Sequence, residues 1–305
     1  MAKILITGGS GLLGKTISEI LLKAGHQVAW LSRESGNYKG IQKYKWDLSK
    51  NYIDEKAFEG VESIIHLAGA PIADKRWTDA YKKDIIDSRV KSSELIFSYI
   101  SKNNYPIKTF IGGSAMGYYG SFISEKIFTE EDEPGNDFLA ETCMRWEKSY
   151  APIIEKGIRT AIIRIGVVLS KYEGAYAKMA PPFKLGFGAA VASGNQNFAW
   201  IHISDIARLF VHALDDQNIN GIYNGVSSES INNKEFSRQL AKSFNKPFFM
   251  PNVPALLLKL AMGEGSIMVT GGVKISNKKI KDSGFKFEFE RAQEALRSLA
   301  AGNES

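Results

Sequence analysis

Along the first 165 residues, short apolar runs alternate with stretches whose apolar positions recur every three or four residues. The runs Lys3 to Thr7, Gln27 to Leu31, Ser63 to Leu67, Thr109 to Ile111 and Thr160 to Ile165 read as strands. The stretches Leu12 to Ala24 and Asp84 to Ile100 read as helices. In the first of these, Leu12, Leu13, Ile17, Ile20, Leu21 and Ala24 share one stripe, and Gly25 stands where a helix C-terminus favours glycine. Alternation of strand and helix at this spacing predicts a parallel, doubly wound α/β sheet.

The pattern loosens after Ile165. Residues 171–199 are rich in Gly, Ala and Pro and read as an insertion or lid. Ala199 to Asp205 and Gly221 to Gly225 read as short strands returning to the sheet. From about Asn232 the chain is mainly helical, apart from a mixed tail near Gly284 to Phe289. The expected division is therefore a sheet domain over 1–168, to which 199–225 return, and a smaller, mainly helical substrate domain from 169–198 and 226–305. No internal repeat or low-complexity linker interrupts it. The closing Ala-Gly-Asn-Glu-Ser reads as a frayed end.

Composition narrows the class without naming it. Apolar residues make up 44% and charged residues 24%, as in an ordinary globular protein. No apolar run reaches the roughly 20 residues that span a bilayer, and a strand beginning at Lys3 is expected to leave no room for a signal peptide. Cys143 is the single cysteine, which excludes an internal disulfide and suits a reducing, cytoplasmic setting. His26, His66, His202 and His212 are scattered, with no zinc-like spacing. The net charge of +6 is spread along the chain. Its densest stretch, Lys274, Lys278, Lys279 and Lys281, reads as a solvated basic face rather than a nucleic-acid site.

Two phosphate-binding patterns overlap after the first strand. Gly8, Gly11 and Gly14 make G-x-x-G-x-x-G, whereas Gly9 to Thr16 reads G-x-x-x-x-G-K-T. A loop wrapped around phosphates would strand Leu12 and Leu13 away from any core, but a helix that has already begun there buries them. Neither Ile64 to Gly69 nor Phe110 to Ser114 carries an acid for Mg²⁺. The dinucleotide reading therefore prevails. Gly8 permits the tight turn, Gly11 the approach of a pyrophosphate, and Gly14 close helix packing, while Ser10, Leu12 and Leu13 line the turn. The second strand ends at Ser32-Arg33, where an Arg suits a 2′-phosphate, so NADP is expected over NAD.

These motifs resemble the extended short-chain dehydrogenase/reductase superfamily, which builds a Rossmann-type fold. In that resemblance Asp47-Leu48 contacts adenine, and His66-Leu67-Ala68-Gly69 lies beside the cofactor. Ser114-Ala-Met-Gly-Tyr-Tyr-Gly120, Trp200-Ile-His-Ile-Ser-Asp205 and Gly221-Ile-Tyr-Asn-Gly225 match further family segments. Strings such as Pro71 to Trp77, Asp87 to Val90, Asp137 to Ala140 and Gly284 to Phe287 resemble an atypical, epimerase-like subgroup with a small C-terminal domain of unknown function.

One departure governs the chemistry. The superfamily's Tyr-x-x-x-Lys pair is replaced by Phe138-Leu-Ala-Glu-Thr142 or, shifted by one, by Leu139 and Cys143; neither register holds the pair. Phe138 cannot transfer a proton. Ser114 survives as the one usual catalytic position, and Tyr118, next to Tyr119, is the candidate substitute acid, provided a cation lowers its pKa. The bland reading makes Ser114 a strand cap and the tyrosines wall packing. Arg76, Trp77 and Arg89 are a second cluster, suited either to an anionic or nucleotide-linked substrate or to helix packing. His202 reads as structural, Cys143 as an inert helix residue, and the run Glu130 to Glu133 as a solvated loop. The sequence thus predicts an NADP-dependent oxidoreductase or nucleotide-sugar epimerase-like enzyme acting on a small molecule, or a catalytically silent NADP-binding sensor. No nucleic-acid partner, membrane or metal is expected.

Overall fold

The computed structural model describes residues 2–302. Its strands are β1 (Lys3–Thr7), β2 (Gln27–Ser32), β3 (Gly36–Tyr38), β4 (Ile41–Asp47), β5 (Tyr52–Ile53), β6 (Val61–His66), β7 (Thr109–Ala115), β8 (Ile127–Phe128), β9 (Arg159–Ile165), β10 (Val167–Leu169), β11 (Trp200–His202), β12 (Gly221–Gly225) and β13 (Lys274–Ile275). The helices are α1 (Leu12–Lys23), α2 (Asp79–Asn103), α3 (Phe138–Lys148), α4 (Ala151–Glu155), α5 (Gly174–Lys184), α6 (Ile203–Asp215), α7 (Asn233–Ser243), α8 (Ala255–Met262), α9 (Ile267–Thr270), α10 (Lys278–Asp282) and α11 (Ala292–Ala301).

The main sheet runs β12-β9-β7-β6-β1-β2-β4-β3, parallel except for β3, which opposes β4; β5 also pairs antiparallel with β4. The chain reverses its direction of growth across the sheet between β1 and β6. That switch point opens a crevice beyond the strands' carboxyl ends, the place where such sheets bind ligands. Central strands are buried on both faces, which is why they read as nearly continuous apolar runs. One face packs Ile4, Ile6, Ile65 and Ile163 under α1 and α6; the other packs Leu5, Ile64, Phe110 and Ile162 under α2 and α3. A separate core joins Tyr176 and Phe183 of α5, Phe236 and Leu240 of α7, and Leu296 and Leu299 of α11.

α1 ends in a Schellman turn: His26 N–H donates to Leu21 and Gly25 N–H to Leu22, each at 3.0 Å, with Gly25 at φ +83°. Ala24, expected on the buried stripe, instead caps the helix and is exposed. The segment 199–205 differs more. It does not return to the main sheet. Trp200–His202 pairs with Val167–Leu169 in a small parallel sheet of its own, and Ile203 already starts α6. His202 explains the early start, because its Nδ1 accepts from Ser204 N–H at 3.2 Å and caps the helix. Strand β4 has no apolar pattern to announce it, since only Ile41 and Trp46 of its seven residues are buried. Of the C-terminal pentapeptide, Ala301 closes α11, Gly302 follows at φ +93°, and residues 303–305 lie outside the described residues.

Candidate active site

The glycine turn is fixed by contacts that admit no side chain. Gly8 turns at φ +68°, and a Cβ there would stand 3.0 Å from the Leu67 carbonyl. A Cβ on Gly14 would lie 2.4 Å from Gly8 O, so only glycine lets α1 pack this closely on the turn. Gly11 is the N-cap and has no side chain to satisfy the helix, and the first α-helical bond is Lys15 N–H to Gly11 O at 3.0 Å. The amides of Leu12, Leu13 and Gly14 therefore have no intrahelical acceptor, and no acid occupies the first turn. These are the conditions for holding a phosphate. Leu12 and Leu13 pack on the core, and Thr16 Oγ1 donates back to Leu12 O at 3.0 Å, so the G-K-T pattern is ordinary helix.

The other expected cofactor residues gather around this turn. Ser10 and Gly11 are exposed at its tip. Ser32 ends β2, its hydroxyl bonded to Glu34 O, and Arg33 follows, exposed. Asp47 ends β4, two strands from β1, and Leu48 is half-buried beside it. The Asp47 carboxylate accepts from Ser49 Oγ at 2.7 Å and Ser49 N–H at 3.0 Å, and these bonds hold its pKa below the ordinary value. Leu67, Ala68 and Gly69 leave β6 opposite the turn. Thr7 Oγ1 accepts from the amides of Leu67 and Ala68, each at 3.1 Å, so its own proton goes to His66 Nδ1 at 2.8 Å. That assignment leaves the proton on His66 Nε2, which meets Ser92 Oγ of α2 at 3.1 Å. Burial pushes the His66 pKa down to about 3, and the neutral ring locks strand, loop and helix together.

From Gly69 the path leads to Arg89. A Cβ on Gly69 would sit 2.9 Å from the Arg89 guanidinium carbon. Arg89 donates to Ala70 O at 3.1 Å and Ile85 O at 2.9 Å and lies 5.0 Å over the Trp146 ring. It forms no ion pair with a carboxylate among the described residues, and burial lowers its pKa. Arg89 and Trp146 line a cavity of about 230 Å³, together with Ala115, Met116, Thr142 and Cys143. Its far wall is Asn197 and the segment from Met268 to Ile275. Gly271 and Gly272 run so close to Ser121 O and Asn197 O that a Cβ would meet them at 2.2 and 2.1 Å. A second cavity of about 260 Å³ lies beyond, and Met116, Val167, Asn197, Met268 and Gly271 wall both.

Ser114 and Tyr118 stand behind the cavity wall and do not line it. In the sheet Ser114 is the register partner of Arg164. Its hydroxyl donates to Glu147 Oε1 at 2.6 Å, and Arg164 grips the same carboxylate through Nε and Nη2, each at 2.9 Å. Arg164 also donates to Tyr119 OH at 3.0 Å, and Tyr119 OH donates to Asn224 Oδ1 at 2.6 Å. The Arg164 guanidinium lies 3.3 Å over the Tyr118 ring. Burial works against the Arg164 charge, but Glu147 and Tyr119 more than offset it and hold its pKa above the ordinary value. Burial raises Tyr118 despite Arg164, and pushes Tyr119 up to about 12. The cation that Tyr118 needed is present, yet the phenol is a weaker acid than in water. The sequence carries a signal for this network: Arg164 is a charge set among apolar residues inside the strand Arg159–Ile165, beyond the Arg at its start, and a buried charge needs a partner.

The cluster Arg76-Trp77-Arg89 is not assembled as one anionic pocket. Trp77 is buried, donates to Ile72 O at 2.9 Å and packs edge-on against Phe138. Arg76 points away to Leu260 O at 2.8 Å, leaving only Arg89 in the cavity. Arg76 and Trp77 stand in irregular chain before Thr78, the N-cap of α2, so they do not share the helix that carries Arg89. On α3, Phe138 starts the helix and Thr142 Oγ1 donates to Phe138 O at 2.8 Å. Burial pushes the Cys143 thiol up to about 12 and the capping His202 down to about 4. Lys278 pairs with Asp282, Lys281 with Glu290 and Lys274 with Glu125, while Lys279 donates to Ile222 O at 2.8 Å. Glu130 accepts from Asn224 N–H at 2.8 Å. No cluster of metal-ligating side chains occurs among the described residues, and no described helix is long and apolar enough to cross a membrane.

Residues 4–224 match the NAD dependent epimerase/dehydratase family, and residues 253–299 match a domain of unknown function, DUF1731. The chain is 34% identical to the epimerase family protein YfhF of Bacillus subtilis over 98% of both chains. It is 33% identical to the chloroplastic SDR39U1 homolog of Arabidopsis thaliana over 96% of this chain and 85% of that one. A crystal structure of the human epimerase family protein SDR39U1 with NADPH superposes with a TM-score of 0.88 at 27% identity, covering 98% of this chain and 99% of that one. With the glycine turn, the switch-point crevice and a C-terminal segment closing the cavity all in place, this chain belongs to the NAD dependent epimerase/dehydratase family.

Proposed function

We propose that the protein is an NADP(H)-dependent oxidoreductase of the epimerase-like type, working on a small molecule in a reducing compartment such as the cytoplasm. The observation that carries this reading is the glycine turn packed against Leu67, with Gly69 against Arg89, an Arg without a carboxylate partner that faces a cavity. The donor set fits the cofactor. Three free amides and an acid-free helix start suit the pyrophosphate; Ser32 and Arg33 suit a 2′-phosphate; Asp47 and Leu48 suit adenine. When bound, NADPH supplies a hydride. The human relative crystallised with NADPH supports the same choice. On this reading residues 1–168 and 199–225 carry the cofactor, and 169–198 with 226–305 form the substrate side.

The chain's own residues set the geometry. Arg89, coming from α2, offers near the nicotinamide end the positive charge that a lysine at position 142 would otherwise provide. Trp146 supports it from the side. Ser114 and Tyr118, expected to move protons, serve the site through Glu147 and Arg164, which brace the floor of the cavity. The buried Cys143 thiol keeps its proton and is no nucleophile.

Phe138 and Thr142 favour one second reading, a silent NADP sensor, because neither can act as the usual proton donor or its activating cation. The two separate by NADPH consumption with a panel of ketones, enones and nucleotide sugars, followed by absorbance. The enzyme reading predicts turnover with at least one of them that falls on Arg89→Met. Tight NADPH binding with no turnover across the panel would establish the sensor.

A further inference from the structure

We propose that the second cavity seats the uncharged, mainly apolar body of the substrate, and that a carbonyl at its end enters the Arg89 cavity. This deepens the NADP(H) reading and rests on it. The wall is built by Met179, Pro182 and Phe183 of α5, by Phe187 and Phe198, and by Val253. Among the described residues no Lys, Arg, Asp or Glu lines it. Its volume of about 260 Å³ exceeds the ~150 Å³ of a dry apolar cavity that holds a benzene ring.

Most polar side-chain atoms on the wall are already committed. Gln196 Nε2 donates to Val191 O at 3.1 Å and Val269 O at 2.9 Å. Asn197 Nδ2 donates to Val273 O at 3.0 Å, and Asn233 Oδ1 accepts from Val191 N–H at 2.9 Å. The N-terminus of α7 reaches this wall, yet its amides are also taken. Asn233 N–H goes to Gln196 O at 2.9 Å, Lys234 N–H to Gly194 O at 2.9 Å, and Glu235 N–H to Asn232 Oδ1 at 2.8 Å. A diphosphate needs Arg, Lys or free helix amides, and none is offered. Two groups on α7 are uncommitted: Asn233 Nδ2 makes no hydrogen bond among the described residues, and Ser237 Oγ is buried on the wall without a partner. A buried hydroxyl left unsatisfied is costly, and a ligand bearing one acceptor or donor would satisfy it. The site thus fits an apolar body with no more than one or two polar groups, and lacks what a nucleotide sugar needs.

The test titrates 4-phenylbut-3-en-2-one, an uncharged aryl enone, into the protein saturated with NADPH, with UDP-glucose in parallel. NADPH affinity is measured separately by its own fluorescence. The enone is expected to bind one saturable site, and UDP-glucose neither to bind nor to displace it. Ala189→Phe, which fills the cavity, is expected to weaken the enone by about tenfold or more while NADPH affinity stays. Should that variant not fold, Phe187→Asp, on an exposed residue of the same wall, places a charge there and predicts the same loss. UDP-glucose competing with the enone, absence of enone binding, or binding indifferent to both variants overturns the proposal. NADPH binding without enone binding sinks the cavity assignment alone. Variant-sensitive enone binding to a protein that takes no NADPH leaves the cavity standing and removes the cofactor reading.

Discussion

Removing Glu147 is expected to be the most damaging single change near the site. Arg164 is 1% exposed and the Glu147 side chain 9%, so both charges are out of water. Glu147→Ala deletes two charge-assisted bonds of 2.9 Å to Arg164 and the 2.6 Å bond from Ser114. Arg164 would keep only Tyr119 OH and the Tyr118 ring face. Breaking one side of a buried pair costs ~3–5 kcal/mol, chiefly because the other charge is left uncompensated. For 305 residues the unfolding entropy is roughly 0.6 kcal/mol per degree, so the melting temperature should fall by roughly 5–8 °C. Urea titration and scanning calorimetry of the purified protein read this directly. The double variant Glu147→Leu/Arg164→Met removes both charges and should recover most of the loss, since apolar replacements of buried pairs are often neutral. A Glu147→Ala loss below about 1 kcal/mol, or a double variant no better than the single, would refute the claim that the pair is buried and mutually dependent.

Arg89→Met should leave stability unchanged or slightly raised, because Arg89 is buried without a carboxylate, while NADPH affinity falls; a loss above about 2 kcal/mol with binding intact contradicts its assignment to the site. Gly14→Ala drives a Cβ to 2.4 Å from Gly8 O, and calorimetry should show about 1–3 kcal/mol of destabilisation together with lost cofactor binding. Burial depresses the pKa values of His66 and His202 to about 3 and about 4, from an ordinary value of 6.5. Their contribution is fully present above that value and is lost as pH falls toward the folded values. Between pH 6 and 5 unfolding should take up about two protons at these rings, a slope on the order of 2 kcal/mol per pH unit in urea titrations. A flat profile there would show that neither ring is held neutral.

Much of the fold was legible because its central strands are buried on both faces and each glycine of the cofactor turn acts locally. Gly8, Gly14 and Gly25 do in space what their spacing announced. Elements set by tertiary contact were not legible. Strand β4 buries only Ile41 and Trp46 and carries Gln42 and Lys45 exposed, and the chain turns helical at Ile203 because His202 caps it there. The cavities join Arg89, Met116, Cys143, Asn197 and Met268, and no local period brings residues so distant together. Ser114 was visible as a motif residue. Its role beside Glu147 was not, since that depends on Arg164 standing opposite it in the next strand.

The central claim is that the glycine turn and the end of β2 hold NADP(H). Calorimetric titration of the wild-type chain and of Arg33→Ala with NADPH, NADH and MgATP tests it most directly. NADPH should bind the wild type about tenfold or more tighter than NADH, MgATP should not compete, and Arg33→Ala should erase the preference while leaving NADH affinity in place. Equal or tighter binding of NADH, or displacement of NADPH by MgATP, would contradict the account.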